Sequence, residues 1–167
     1  LVGMIDEQRL RYIGSIVRGL NDALVELSGA VAGLTFVLNN TSLIGVTGFI
    51  TGIAASLSMA GSEYLGSKSE KTDKNPMTAS FYTGGAYLLV VLFFIFPYFV
   101  VGDVILALVV MLINVLIVAV LFTSYTSVTR DLSFWHEFGE MAAISLGIAA
   151  VTFVIGFAIR SYFGVEV

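Results

Sequence analysis

Two carboxylates lie inside a long apolar stretch near the start of the chain. Asp22 and Glu26 are four residues apart, and Gly29 and Gly33 follow them at helical spacing. On a helix, residues three or four apart share one face. Acids within a membrane-spanning segment are costly and are functional by default, although Asp22 also has Arg18 four residues before it as an ordinary ion-pair partner. The spacing therefore predicts one helix face that combines negative charge with small residues.

A second apolar stretch carries a similar set of residues. Gly48, Gly52 and Met59 recur at helical spacing, and the series ends at Glu63. Carboxylate oxygens suit Mn²⁺ and Fe²⁺, and a thioether adds preference for softer ions over Mg²⁺ and Ca²⁺. A carboxyl group in a low-dielectric site can hold a proton without metal and release it when metal binds. Asp22 with Met59 therefore predicts a transition-metal site, although methionine also fills gaps in apolar cores.

A short polar turn at residues 39–42 joins the two stretches into an antiparallel hairpin. Residues equally far from such a turn lie at about the same depth, because both helices rise by about 1.5 Å per residue. The count gives three pairs at matched depth: Asp22 with Met59, Glu26 with Ser56, and Arg18 with Glu63. The G-x-x-x-G spacing at residues 29–33 and 48–52 also predicts close helix packing in lipid, and the two small-residue faces are expected to meet.

The composition shows which elements must position these residues. Of 167 residues, 57% are hydrophobic and 12% charged, the mean hydropathy is +0.96, and soluble domains have roughly 25% charged residues. The absence of cysteine excludes disulfides and thiolate metal sites. We find no phosphate-binding loop, no nucleophile with a base and no basic nucleic-acid patch, so we expect neither an enzyme nor a nucleic-acid partner. We predict an all-α integral membrane protein, one domain over 1–167, with five spans at about 12–37, 43–66, 79–101, 104–128 and 135–163, each near or above the ~20 residues that cross a bilayer.

The basic residues predict the orientation of these spans. Seven of the eight fall on the N-terminal side of the predicted bundle, and only Arg160 falls near the other side. Cytoplasmic loops carry the excess of Lys and Arg, so we expect a cytoplasmic N-terminus and an outside C-terminus. The seven residues are Arg9, Arg11, Arg18, Lys68, Lys71, Lys74 and Arg130.

A further group of metal-ligand types opens the fifth predicted span on the same side. His136 and Glu140 share one helix face, with Glu137 and Met141 beside them. Two interpretations remain open. These residues, with Glu70, line a cytoplasmic mouth that captures metal, or the acids form an interfacial first turn that complements the helix dipole.

Three motifs resemble the first two helices of the vacuolar iron transporter family. They are RGLNDAL at 18–24, GAVAGL at 29–34, and ASLSMA at 55–60 followed by Glu63-Tyr64. The resemblance implies five helices, a homodimer, and exchange of cytosolic Fe²⁺ or Mn²⁺ for protons. It also implies that Asp22 and Met59 occupy the positions of key membrane residues. The metal is then the transported substrate, and no resident cofactor is expected.

The chain departs from the plant members of that family in two ways. Those members carry a Glu eight residues before the Met, where this chain has Thr51, so Glu26 is the candidate substitute. They also have a long cytoplasmic metal-binding domain between spans two and three, where only about residues 68–78 remain here. Some prokaryotic relatives instead carry an N-terminal ferritin-like domain, which this sequence does not contain. We therefore expect a short, prokaryotic-type member in a prokaryotic cell membrane.

Together these observations predict a transporter that exports Fe²⁺ or Mn²⁺ from the cytosol by proton antiport. Asp22, Glu26, Met59 and Glu63 are the predicted ligands, and the expected partners are the bilayer, the metal ion, protons and a second copy. The alternative is a non-transporting membrane anchor, which recruits a ferritin-like iron-handling protein through the charged segment Lys68–Lys74.

Overall fold

The computed structural model describes residues 2–70, 74–130 and 133–163, with side chains over 12–70, 74–128 and 133–162. The side chains of Arg9, Arg11, Lys71 and Arg130, which contribute to the predicted orientation, lie outside this range. Within the described ranges the chain is helical and contains no strand. The elements are α1 (Val2–Asp22), a π-helical segment (Ala23–Leu27), α2 (Ser28–Leu38), α3 (Thr41–Ser69), α4 (Pro76–Val100), α5 (Val104–Arg130) and α6 (Phe134–Phe163).

In the described part of the chain, five stretches are long and apolar enough to cross a membrane, which confirms the predicted number of spans. The first is formed by α1, the π-helical segment and α2 in succession. The bounds of the five spans agree with the predicted bounds to within a few residues: Tyr12–Leu38, Thr41–Ser69, Pro76–Val100, Val104–Val128 and Phe134–Tyr162.

Polar residues at the turns explain where the helices begin and end. Asn39 ends α2 with a left-handed backbone (φ 42°), and the Asn40 side chain accepts a hydrogen bond from the Leu43 N–H at 3.0 Å. Asn75 caps α4 in the same way, by accepting from the Met77 N–H at 3.0 Å. The Asp103 carboxylate accepts from the Leu106 N–H at 2.7 Å at the start of α5. Each cap satisfies an amide that the first helical turn leaves unpaired.

Helix α4 lies at the centre of the packing. It packs extensively against α3 and also against α1 and α5, whereas α2 packs mainly against α6. Its side chains Tyr87, Phe94 and Tyr98 are among the largest fully buried side chains in the core. On α5, Asn114 donates to the Phe93 carbonyl of α4 at 2.9 Å, an interhelical bond of the kind that stabilises membrane bundles.

The G-x-x-x-G glycines allow close packing, but the two faces do not pack against each other. A Cβ on Gly33 would lie 3.1 Å from the Thr152 carbonyl oxygen of α6, and Gly29 faces the same part of α6. A Cβ on Gly52 would overlap the Val91 side chain of α4, whereas a Cβ on Gly48 would lie 3.3 Å both from Ile95 of α4 and from Val31 of α2. The expected meeting of the two small-residue faces is therefore wrong for Gly29 and Gly33, because α6 packs against them, although Gly48 of α3 does contact α2 through Val31.

Candidate metal site

A partly buried ion pair ties α1 to α3 near the N-terminal end of the first span. Arg18 Nη1 lies 2.6 Å from Glu63 Oε2. The Ser15 hydroxyl donates to Glu63 Oε1 at 2.8 Å, and Ser67 donates to the same oxygen at 3.3 Å. The depth count paired Arg18 with Glu63, and the structure confirms that pair. The carboxylate of Glu63 is thus occupied by three donors.

The ion pair fixes the depth of two predicted ligands. Asp22 is one helical turn beyond Arg18 on α1, and Met59 is one turn beyond Glu63 on α3. The two helices run antiparallel, so each turn moves about 6 Å in the same direction away from the ion pair. Asp22 and Met59 therefore lie at the same depth. Both side chains are half-buried.

Asp22 is under the influence of two opposite charges. The charges that act on it are those of Glu26, which repels its ionised form, and Arg18, which attracts it. Arg18 is engaged with Glu63 rather than held by Asp22. An acid beside a second acid, with its nearest cation already paired, is suited to bind a divalent cation.

The π-helical segment changes the direction in which Glu26 points. A π turn adds one residue, and each residue of an α-helix rotates by about 100°, so residues after the segment are turned by about that angle. The structure accordingly places Gly29 against Ile148 of α6, whereas Glu26 is exposed and contacts α4. The prediction that Asp22, Glu26, Gly29 and Gly33 share one face is therefore wrong. π-helical turns in α-helices frequently occur at functional sites.

Glu26 has a partner that the sequence analysis missed. The Tyr87 hydroxyl of α4 donates to Glu26 Oε2 at 3.3 Å. Tyr87 is fully buried. The available signal was a tyrosine in the middle of an apolar span, because a buried tyrosine hydroxyl usually has a hydrogen-bond partner. Ser56, predicted to be level with Glu26, is instead bonded to the Gly84 carbonyl of α4 at 2.8 Å.

Three of the five predicted mouth residues form a cluster at the start of α6. One ligand atom from each of His136, Glu137 and Glu140 lies within 4.8 Å of the others. His136 and Glu140 are exposed, and Glu137 is half-buried. Among the described residues, Glu70 is not part of this cluster; it is exposed at the end of α3.

A polar cavity of about 650 Å³ connects this cluster with the first span. It lies between α1, α5 and α6. Its lining includes Asn21, which precedes Asp22, and Val25, which lies inside the π-helical segment. Among the described residues, the predicted ligands Asp22, Glu26, Met59 and Glu63 are not part of this lining. The lining residues are Gly14, Val17, Arg18, Asn21, Val25, Phe122, Thr126, Glu137, Glu140, Met141 and Ile144.

Comparison with known proteins addresses the same part of the chain. Residues 13–73 match the VIT family. The match covers the first two spans and includes Asp22, Glu26, Met59 and Glu63, so it supports membership in the vacuolar iron transporter family. The five apolar helices and the VIT family match support an integral, multi-pass membrane protein, and the match suggests membrane transport of a metal ion. The comparison with curated proteins found no match.

Proposed function

We propose that the protein exports Fe²⁺ or Mn²⁺ from the cytosol in exchange for protons. Asp22 and Met59 are the central ligands, and Glu26 is the third. The observation that carries this proposal is the Arg18–Glu63 ion pair, because it sets a carboxylate and a thioether at the same depth on neighbouring spans. The VIT family match over 13–73 supports the choice of a metal ion as substrate.

The ligand chemistry accounts for the exchange. Two carboxylates provide hard oxygen ligands and balance the charge of a divalent ion, and the thioether favours transition metals over Mg²⁺. A carboxylate oxygen binds either a proton or a metal ion, so the two compete for the same atoms. Metal binding then releases protons. The same residues thus bind either the ion or protons, which is the basis of antiport.

Glu63 has a different role in this proposal. Its oxygens accept hydrogen bonds from Ser15, Ser67 and Arg18. A carboxylate that three donors occupy is a poor ligand for a passing cation. We therefore assign Glu63 to the register of α1 and α3, and the half-buried Asp22 and Met59 to the ion.

A homodimer explains the exposed polar groups in the membrane-spanning region. Glu26 is exposed in the first span, and Thr51 and Ser58 are exposed on α3. A charged side chain that faces lipid is costly, and such residues almost always face a bundle interior or a water-filled cavity. A second copy that covers these positions would remove that cost and enclose the path between two protomers.

Proteoliposomes with a metal-sensitive dye test the proposal. Wild-type protein is expected to transport Mn²⁺ and Fe²⁺, and a second dye should report opposite proton movement. Asp22→Asn and Met59→Ala are expected to abolish or strongly reduce this flux. Matched controls are Asp103→Asn at the start of α5 and Met77→Ala, an exposed methionine of α4. Unaltered flux in both ligand variants would overturn the ligand assignment, and a wild-type protein without flux would favour the anchor.

A further inference from the structure

Tyr87 is placed to control how Glu26 presents its carboxylate. Its hydroxyl lies 3.3 Å from Glu26 Oε2, and its ring is fully buried in the core. Within the described part of the chain, this is the one hydrogen bond that Glu26 accepts. No donor among these described residues reaches Oε1.

A hydrogen bond to one carboxylate oxygen changes what that carboxylate offers a cation. With Oε2 held by Tyr87, Glu26 presents Oε1 as a single oxygen. Ca²⁺ takes six to eight oxygen ligands and often obtains them from bidentate carboxylates. A site with few ligands reaches that number only if its carboxylates bind through both oxygens. Mn²⁺ does not need seven or eight oxygen ligands, and it accepts the thioether of Met59 more readily than Ca²⁺ does.

We propose that Tyr87 is a positioning residue that determines the specificity of the metal site. Its hydroxyl holds Glu26 in a monodentate orientation, so the site selects Mn²⁺ or Fe²⁺ against Ca²⁺. This inference rests on the proposed function, in which Glu26 is a ligand. Partners that orient a metal ligand typically change metal affinity by about 10–100-fold when they are removed.

The chain offers a closely matched control. Tyr98 is also a buried tyrosine of α4, and its hydroxyl is 2.7 Å from Thr35 Oγ1 of α2 rather than near an acid. Tyr87→Phe and Tyr98→Phe each remove one hydroxyl from the same helix and keep the ring. Both variants are reconstituted with the wild type, and Mn²⁺ flux is measured with and without competing Ca²⁺. Mn²⁺ binding to the purified full chain is measured by calorimetry.

The expected result is specific to Tyr87. Tyr87→Phe should raise the half-saturating Mn²⁺ concentration about tenfold and make Ca²⁺ a stronger competitor, whereas Tyr98→Phe should match the wild type. Equal effects of the two variants, or unchanged Mn²⁺ to Ca²⁺ selectivity in Tyr87→Phe, would overturn the inference. If Tyr87→Phe has no flux, the calorimetric Mn²⁺ affinities of Tyr87→Phe, Tyr98→Phe and the wild type are compared instead, and equal affinities would overturn the inference. A wild type that binds Mn²⁺ without transporting it contradicts the proposed function instead.

Discussion

Arg18 and Glu63 join two helices that otherwise touch little. The guanidinium and the carboxylate are 2.6 Å apart, yet α1 and α3 each pack mainly against α4. Glu63 is 5% exposed and Arg18 is 60% exposed, so the pair joins a buried acid to a base that remains largely accessible. This ion pair, together with the hydrogen bond from Ser15 to Glu63, therefore sets the register of the two helices that carry Asp22 and Met59.

The ion pair predicts strong coupling between its two residues. Arg18→Ala leaves a buried acid without its cation, and Glu63→Ala removes the acceptor for three donors. We expect each substitution to lower the free energy of unfolding by about 1–3 kcal/mol, a range that allows for the exposure of Arg18. The double variant should lose about as much free energy of unfolding as the more destabilised of the two single variants. Denaturation in detergent micelles measures this, with Lys68→Ala at the exposed end of α3 as control. Additive losses would show that the pair is not coupled.

Hydropathy and counting predicted this part of the fold well. The five spans follow from long apolar runs, and the pairing of Arg18 with Glu63 follows from a short turn and a fixed rise per residue. The sequence did not predict which helix packs against each glycine face. A glycine face shows that some backbone approaches closely, but any of several helices can fill it. Only the three-dimensional arrangement shows that α6 lies against Gly33 and α4 against Gly52.

The closest helix crossing predicts a large difference between two glycines. A Cβ on Gly19 would overlap the backbone carbonyl of Thr83 in α4, whereas a Cβ on Gly85 of α4 would meet nothing within 4 Å. Gly19→Ala must therefore push α1 away from α4, and it should lower the free energy of unfolding by about 1–3 kcal/mol or more. Gly85→Ala should be neutral or stabilising by about 0.5–1 kcal/mol, since alanine favours a helix. Thermal unfolding of the two variants in detergent checks this. Similar unfolding temperatures would contradict the crossing.

The π-helical segment and the Tyr87 contact could not be predicted from residue spacing. Periodicity assumes a uniform rotation of about 100° per residue, and one extra residue in a turn breaks that assumption after Asp22. The direction of Glu26 then depends on which helix lies beside it. The sequence therefore indicated that Glu26 is important, but not that a tyrosine of the third span holds it.

Ser28 is expected to stabilise the π-helical segment. Its backbone N–H donates to the Val25 carbonyl, and its hydroxyl donates to the Leu24 carbonyl. Ser28→Ala removes a donor from the buried Leu24 carbonyl and should lower the free energy of unfolding by about 1–2 kcal/mol. Amide hydrogen exchange should become faster over residues 23–28. Ser124→Ala is the control, because Ser124 makes the same kind of bond to Val120, at 2.7 Å, at an exposed position of the regular helix α5. Equal exchange in the wild type and Ser28→Ala would contradict this role.

The cluster at the start of α6 predicts an effect on metal capture rather than on turnover. Glu137 and Glu140 line the polar cavity, and Glu140 is exposed. Exposed carboxylates raise the local concentration of cations, an effect that salt screens. Neutralising both with Glu→Gln substitutions should therefore raise the half-saturating Mn²⁺ concentration severalfold at low salt and leave the maximal flux unchanged. Asp22→Asn should instead reduce the maximal flux.

Glu70→Gln separates capture by the cluster from a general effect of negative charge. Glu70 is an exposed acid at the end of α3 and lies outside the cluster. If the cavity guides the ion, this control should leave the half-saturating concentration close to the wild-type value. If the acids of α6 only complement the helix dipole, the double variant should lose about 0.3–1 kcal/mol of stability and keep normal flux at every Mn²⁺ concentration. A shift in half-saturation that disappears at high salt would therefore assign the cluster to metal capture, because a dipole effect on stability alone cannot change the apparent affinity for the ion.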